Sequence, residues 1–171
     1  MTLYIINPNS SQSVTGFAIA CFSDPGVTRL RQETSRPVLG IREAAVSDAL
    51  TRGEQFDIIA IRPASIARHL AAVSSMGLNK RSAGDRALDL SVKDLADEKR
   101  ALDRLISTAC QLRDEDGADV LILGCAGMAQ YRSRVEAATR HTGDRPDTVR
   151  RCFDTRPYFT STISQTRGLT C

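Results

Sequence analysis

The sequence lacks the features that would indicate a membrane span, a disulfide framework or a metal site. None of its apolar runs approaches the roughly 20 residues of a membrane-spanning helix. Its five cysteines are an odd number without paired spacing, so we expect free thiols. It has only two histidines, no Cys-x-x-Cys motif and no Cys/His cluster, which argues against bound metal. The first residues contain neither a basic region nor a signal-peptide core, so we expect a cytoplasmic protein.

Excess charge is also missing from most of the chain. The formal net charge is +3, and residues 140–171, with six arginines and three aspartates, account for this whole surplus. We therefore expect no nucleic-acid partner, and the lack of a membrane-spanning run argues against a membrane partner. Residues 140–171 are also poor in apolar residues and show no periodic pattern, which predicts an irregular, disordered tail.

The rest of the chain alternates short apolar runs with helical patterns, which predicts an α/β fold. Predicted strands cover residues 2–6, 16–21, 37–41, 56–61, 86–92 and 120–123. Predicted helices cover residues 24–34, 42–51, 63–76, 93–114 and 128–138. Asp24 is the predicted N-cap of the first helix, with Pro25 at its first position. Arg68 and His69 fall on the third helix and are interpreted as solvated surface residues.

The junction between the first two predicted strands is unusually short. Only Pro8 to Thr15 lie between them. A crossover between neighbouring parallel strands needs roughly a dozen residues or more. Either these two strands are not neighbours, or a helix-containing segment is absent.

Two cysteines stand at the ends of predicted strands. Cys125 follows the apolar run Val120–Leu123 inside a Gly-Cys-Ala-Gly segment, and Cys21 precedes the segment Phe-Ser-Asp-Pro-Gly. Open α/β sheets bind ligands at the carboxyl ends of their strands. A single such cysteine is often only a buried core residue, but two in matching contexts favour catalysis. Of the other cysteines, Cys110 is expected in the core, and Cys152 and Cys171 are interpreted as incidental.

Four segments in the order INPNSS, IACFSDPG, PVLGIREAA and GADVLILGCAGMA resemble the hydantoin/allantoin racemases of the aspartate/glutamate racemase superfamily. The resemblance implies two pseudo-symmetric parallel-sheet lobes and a cleft between them. It implies no pyridoxal phosphate, no other cofactor and no metal. The implied partner is a small-molecule substrate, a hydantoin or amino-acid derivative, and a homo-oligomer is compatible with it.

The resemblance also assigns site residues by motif. The implied catalytic residues are Cys21 and Cys125, one from each lobe. The implied substrate-binding residues are Asn7, Phe22, Ser23, Gly124, Ala126 and Gly127. A turn after the first strand is a nearly equal interpretation of Asn7.

Cysteine suits this chemistry. Racemisation removes a proton from a stereocentre next to a carbonyl and returns it on the other face. A thiol titrates near ~8.5, and local dipoles can lower that value, so a thiolate and a thiol can act as base and acid near neutral pH. Backbone N–H groups after each strand would stabilise the enolate oxygen.

The sequence departs from the family pattern in two places. The family has a helix–strand–helix block between the INPN strand and the first cysteine strand, and here it is missing. We therefore predict a truncated first lobe (residues 1–52, with Cys21), a second lobe (53–139, with Cys125) and the tail (140–171).

The family would continue with a Pro-Val-Ile-Asp strand where the tail stands. If this region is encoded by suitable synonymous codons, deleting one nucleotide in the codon for Arg140 shifts the reading frame so that it encodes that strand. We therefore hypothesise that the tail is the product of a frameshift, and sequencing the gene would test this.

Three functions stay open at this point. The first is a cofactor-independent racemase, an isomerase with two acid/base cysteines. The second is a non-catalytic, truncated remnant of that family. The third is a decarboxylase or isomerase of the same superfamily that uses one cysteine, against which the presence of both cysteines argues.

Overall fold

A computed structural model describes residues 3–6 and 16–140 of the chain. By their internal contacts these residues divide into two compact units. The first unit comprises residues 3–6 and 16–44, and the second comprises residues 45–140. The predicted disordered tail lies outside the described residues, apart from residue 140. The lobe boundaries at residues 52/53 and 139/140 stay predictions.

The first unit contains a three-stranded sheet and one complete helix. Its elements are β1 (Leu3–Ile6), β2 (Gly16–Ile19), α1 (Val27–Glu33), β3 (Val38–Gly40) and the start of α2 (Ile41–Leu50). The strand order is β1-β2-β3, and β2 and β3 are parallel. Among its described side chains, Ile19, Val27 and Val38 form a buried apolar cluster with half-buried neighbours packed around them.

The pairing of β1 with β2 overturns one of the two explanations for their short junction, that the strands are not neighbours. The two strands are neighbours, and they pair antiparallel, with Leu3 opposite Ile19 and Ile6 opposite Gly16. An antiparallel pair needs no crossover, so the short connection between them suffices. The expectation of a parallel-sheet first lobe is therefore wrong for β1 and correct for β2 with β3.

The second unit contains an all-parallel sheet of order β5-β4-β6. Its strands are β4 (Phe56–Ala60), β5 (Ser82–Ala87) and β6 (Val120–Leu123). After the end of α2, its helices are α3 (Pro63–Ser75), α4 (Glu98–Asp114) and α5 (Arg132–Arg140). Every residue of β4 and β6 is buried, as their predominantly apolar sequences in a parallel sheet predict. No helix of the described part of the chain has both the length and the apolar character to cross a membrane.

The large core of the second unit lies on the sheet, beneath α4 and α5. Its buried members are Ile59, Ile61, Leu88, Leu90, Leu95, Ala101, Leu105, Ala109, Leu112, Ala118, Leu121, Leu123, Met128, Tyr131 and Val135. The predicted apolar face of the long helix is confirmed for Leu105, Ala109 and Leu112, which are fully buried. Fully burying one leucine side chain contributes about 1.5–3 kcal/mol, so this core holds much of the unit's stability.

Three elements of the second unit begin at other residues than the sequence predicts. The edge strand predicted at 86–92 is β5, which begins four residues earlier at Ser82. The error comes from Leu88 and Leu90, which are buried although they follow the strand. Their backbone N–H groups donate to the carbonyls of Ala60 and Ile61, so the apolar pattern continues past the end of β5. The predicted helices at 93–114 and 128–138 each begin with a separate 3-10 turn, Lys93–Ala96 and Ala126–Tyr131 respectively.

Candidate active site

Cys21 lies in a tight turn beyond the carboxyl end of β2. The backbone N–H of Asp24 donates to the carbonyl of Cys21 at 2.8 Å and closes this turn. The thiol is free and half-buried, and the residue packs against the apolar core of the first unit. Phe22 is buried beneath the turn, whereas Ser23 is exposed. The Cys21 side chain is thus supported on one side and reachable on the other.

Asp24 ties this turn to α2. Its carboxylate accepts the backbone N–H groups of Arg42 and Glu43, both at 3.2 Å, in the first turn of that helix. The Arg42 guanidinium donates to the carbonyl of Ser23 at 3.3 Å. Burial raises the pKa of Asp24, although the two backbone N–H bonds oppose the rise. Asp24 therefore acts as a helix cap.

The helix that Asp24 caps is not the predicted one. α1 begins at Val27 rather than at Pro25, and its N-cap position is Gly26, at φ 77°. Asp24 itself has φ 47°, in the left-handed region that Asp tolerates better than most residues. This backbone conformation turns its carboxylate to α2, 18 residues further along the chain.

Cys125 lies beyond the carboxyl end of β6. Its thiol is free and half-buried, and the residue packs against the core of the second unit. The preceding residue, Gly124, is buried, and its N–H donates to the carbonyl of Ile59 at 2.9 Å. The Cys125 carbonyl accepts the N–H of Met128 at 3.0 Å, so the chain turns immediately into the 3-10 helix.

Small, exposed residues follow Cys125. Ala126 and Gly127 are exposed and form the first positions of the 3-10 helix, where backbone N–H groups have no acceptor within the helix. A Cβ added to Gly127 would lie 3.8 Å from the Cys125 sulfur and 3.1 Å from a methyl group of Leu95. Glycine at this position therefore leaves space next to the thiol.

A buried polar group lies behind the Gly124–Cys125 turn. The His69 Nδ1 atom on α3 lies 2.9 Å from Asp85 Oδ2 on β5, and both side chains are almost completely buried. The interpretation of His69 as a solvated residue is therefore wrong, whereas Arg68 is exposed as expected. The other oxygen of Asp85 accepts the backbone N–H of Ile58 at 3.3 Å. Burial raises the pKa of Asp85, and the hydrogen bond from His69 opposes the rise.

Asp57 is a second buried carboxyl group, in the middle of β4. One of its oxygens accepts the N–H of Gly84, and the other has no hydrogen-bond partner among the described residues. Burial raises the pKa of Asp57 to about 7, with a smaller contribution from the negative charge of Asp85. Sequence reasoning missed this residue, although one charged position inside the otherwise apolar run FDIIAI is a visible signal for it.

The predicted site residues fall into two local groups. Cys21, Phe22 and Ser23 share the turn after β2 in the first unit. The residues Gly124, Cys125, Ala126 and Gly127 share the turn after β6 in the second unit. Asn7 lies outside the described residues. Within residues 3–6 and 16–140, no group of three or more His, Cys, Asp or Glu side chains could hold a metal ion.

Comparison with known proteins gives a matching family and several related sequences. The family model for Asp/Glu/hydantoin racemases matches residues 3–149. A hydantoin racemase of Rhizobium meliloti is 36% identical over 135 residues, which are 78% of this chain and 56% of that protein. A hydantoin racemase of Paenarthrobacter aurescens is 37% identical over 117 residues, 67% of this chain and 49% of that protein.

A solved structure gives the same result for the fold. The allantoin racemase of Pseudomonas fluorescens superposes with a TM-score of 0.72 at 27% identity, over 76% of this chain and 56% of that chain. The α/β architecture with parallel strand pairs is therefore shared with this enzyme. The chain spans about half the length of the relatives it matches.

Proposed function

The chain belongs to the Asp/Glu/hydantoin racemase family, a family of cofactor-independent racemases, and from this premise we propose that it is a two-cysteine racemase. The proposed substrates are hydantoins or amino-acid derivatives with a hydrogen on the carbon next to a carbonyl. The observation that carries the proposal is a free, half-buried cysteine just beyond the carboxyl end of a parallel-paired strand in each unit.

The proposed reaction uses Cys21 and Cys125 as a matched acid and base. One cysteine enters as the thiolate and removes the proton from the stereocentre, which leaves a planar enolate. The other enters as the thiol and delivers its proton to the opposite face. After one turnover the former thiolate is a thiol and the former thiol is a thiolate. The enzyme is then in the protonation state that the reverse reaction requires. A hydantoin favours this step because its ring carbonyl delocalises the charge of the carbanion.

The turns after the two strands supply the remaining groups. The exposed backbone N–H groups of Ala126 and Gly127 are suited to stabilise the enolate oxygen next to Cys125. Phe22 and Ser23 would contact the substrate next to Cys21, and Asn7 would help to hold it. The lack of a side chain at Gly127 keeps that position from covering the Cys125 sulfur, which favours access of a flat substrate ring to the thiol.

A second candidate function is the non-catalytic remnant. It is favoured by one observation, the coverage of only about half of each relative's length. A remnant would keep both strand-end turns without bringing two thiols to one substrate carbon. Both candidates therefore predict the same strand-end turns, and only the racemase predicts catalytic turnover.

The test follows deuterium uptake and inversion of an enantiopure 5-substituted hydantoin in deuterated water. NMR measures uptake at the stereocentre and polarimetry measures inversion, both against the enzyme-free rate. The racemase predicts inversion above that rate, and loss of one acid/base group should slow it about 10²–10⁴-fold in Cys21→Ser and in Cys125→Ser. Cys110→Ser is the matched control, since this half-buried thiol lies on α4 and belongs to neither strand-end turn.

Each result decides between the candidates. Inversion that requires both cysteines and tolerates Cys110→Ser supports the racemase. Exchange no faster than the enzyme-free rate, from a chain whose circular dichroism shows an intact α/β fold, supports the remnant. Inversion that survives both serine substitutions would refute the two-cysteine mechanism.

A further inference from the structure

We infer that His69, held in place by Asp85, is a positioning residue for Cys125. This inference rests on the proposed function, in which the Cys125 sulfur must meet the substrate carbon at a defined distance. His69 does not touch the substrate in this proposal. It acts through the backbone of Gly124, the residue immediately before the cysteine.

The first step is the contact between His69 and Gly124. A Cβ added to Gly124 would lie 3.2 Å from His69 Cε1, so the edge of the imidazole ring packs against this backbone. On its other sides Gly124 is held by β4, where the same Cβ would lie 2.8 Å from the carbonyl oxygen of Ile59. The glycine is therefore enclosed between β4 and the imidazole ring.

The second step is the anchoring of the ring itself. Asp85 Oδ2 lies 2.9 Å from His69 Nδ1, and Asp85 Oδ1 accepts the N–H of Ile58 at 3.3 Å. A carboxylate that holds one nitrogen of an imidazole fixes the orientation of the ring. Because Asp85 is in turn bonded to β4, the ring is fixed relative to the strand that also holds Gly124.

The third step is the choice of residue type. An apolar side chain would fill the space between α3 and Gly124 without the cost of burying a polar pair. A hydrogen-bonded imidazole instead has one defined orientation, whereas an apolar side chain in the same space can change its rotamer. A site that transfers protons needs its groups within about 0.5 Å of the productive geometry. We therefore assign the pair to the geometry of the Gly124–Cys125 turn.

The experiment measures thiol alkylation by iodoacetamide, residue by residue, with mass spectrometry. Cys110 lies in the same unit and is also half-buried, so it reports general loosening of the fold. In His69→Leu, the ratio of the Cys125 rate to the Cys110 rate should rise severalfold, because the turn loses its support. In His69→Gln, which keeps a donor for Asp85, the ratio should return toward the wild-type value.

A second variant keeps the test decisive if His69→Leu does not fold. Asp85→Asn retains an acceptor for the Ile58 N–H and removes the charged partner of His69, and the same rise in the ratio is expected. An unchanged or lower ratio, or equal acceleration of both cysteines, would overturn the inference. In variants that retain racemase activity, the rate of substrate inversion should fall by up to about 10²-fold with little change in KM. Because alkylation needs no turnover, a failed racemase assay leaves this test intact.

Discussion

At the scale of single residues, Asp57 is a carboxyl group inside an apolar strand. Its pKa is raised from 3.8 to about 7 by burial, so the folded state retains a proton that the unfolded chain releases. The contribution to stability is complete below the unfolded pKa and is lost as pH rises through the folded pKa. We therefore expect the free energy of unfolding to fall between about pH 4 and pH 7, by about 1.4 kcal/mol for each unit of pKa difference.

Asp57→Asn should flatten this pH dependence without abolishing it, because burial also raises the pKa values of Asp24 and Asp85. Urea unfolding followed by circular dichroism across this pH range measures the slope. Asp103→Asn is the control, since this aspartate is exposed on α4 and should leave the slope unchanged. A wild-type stability that rises over the same range would contradict the assignment.

Gly124 gives a second prediction for a single residue. A Cβ there would approach the carbonyl oxygen of Ile59 to 2.8 Å and a methyl group of Ile58 to 2.9 Å. Both neighbours belong to the buried strand β4 and have little room to move, so Gly124→Ala should cost about 1–3 kcal/mol in unfolding free energy. Gly84→Ala is the matched control, because its Cβ would meet no atom within 4 Å. Equal effects of the two substitutions would show that Gly124 is not enclosed.

The sequence identified the two strand-end cysteines but not the buried histidine. Cys21 and Cys125 follow apolar runs and stand beside turn residues, and both local patterns are visible in the sequence. His69 shares the buried face of α3 with Ser65 and Val73, whereas Leu70 is 45% exposed. The apolar residues of this helix therefore do not mark its buried face. Only the position of Asp85 on the neighbouring strand explains why a histidine is buried there.

At the scale of elements, predictions succeeded where burial is complete on both faces. β6 is a continuous apolar run, β4 is apolar apart from Asp57, and the positions of both are confirmed to within one residue. β5 is partly exposed along most of its length, so its sequence, SAGDRA, carries no apolar pattern. The direction of β1 depends on its partner rather than on its own residues, and a pattern of apolar residues does not encode that choice.

The cap of α2 gives a prediction at this scale. Asp24→Ala removes both acceptors from the first turn of the helix and places alanine at φ 47°, so we expect a loss of about 1–2 kcal/mol or more. Asp24→Asn keeps one side-chain oxygen and tolerates this backbone conformation, and it should cost clearly less. Urea unfolding of both variants at neutral pH makes the comparison. Equal losses would indicate that the carboxylate does not cap α2.

At the scale of the whole molecule, the two units have cores of very different size. Among the residues whose burial the structure describes, the apolar cluster of the first unit joins three buried residues to three half-buried ones, whereas the large cluster of the second unit contains fifteen buried residues. Buried apolar area is the main favourable term in folding, so the second unit should be the more stable one. The resemblance to the racemase family implied two lobes, but the sizes of their cores depend on contacts between distant elements.

This difference predicts that the two units open in separate steps. Leu105→Ala and Ile19→Ala each remove a large, fully buried side chain, at a cost of about 2–5 kcal/mol to the unit that contains it. In hydrogen exchange read by mass spectrometry, Leu105→Ala should accelerate β4, α4 and β6 and leave β2 unchanged. Ile19→Ala should accelerate β2 and α1 and leave the second unit unchanged. α2 has residues in both units and should respond to either substitution. If each substitution accelerates exchange throughout the described residues, the chain opens as one cooperative body and the prediction is wrong.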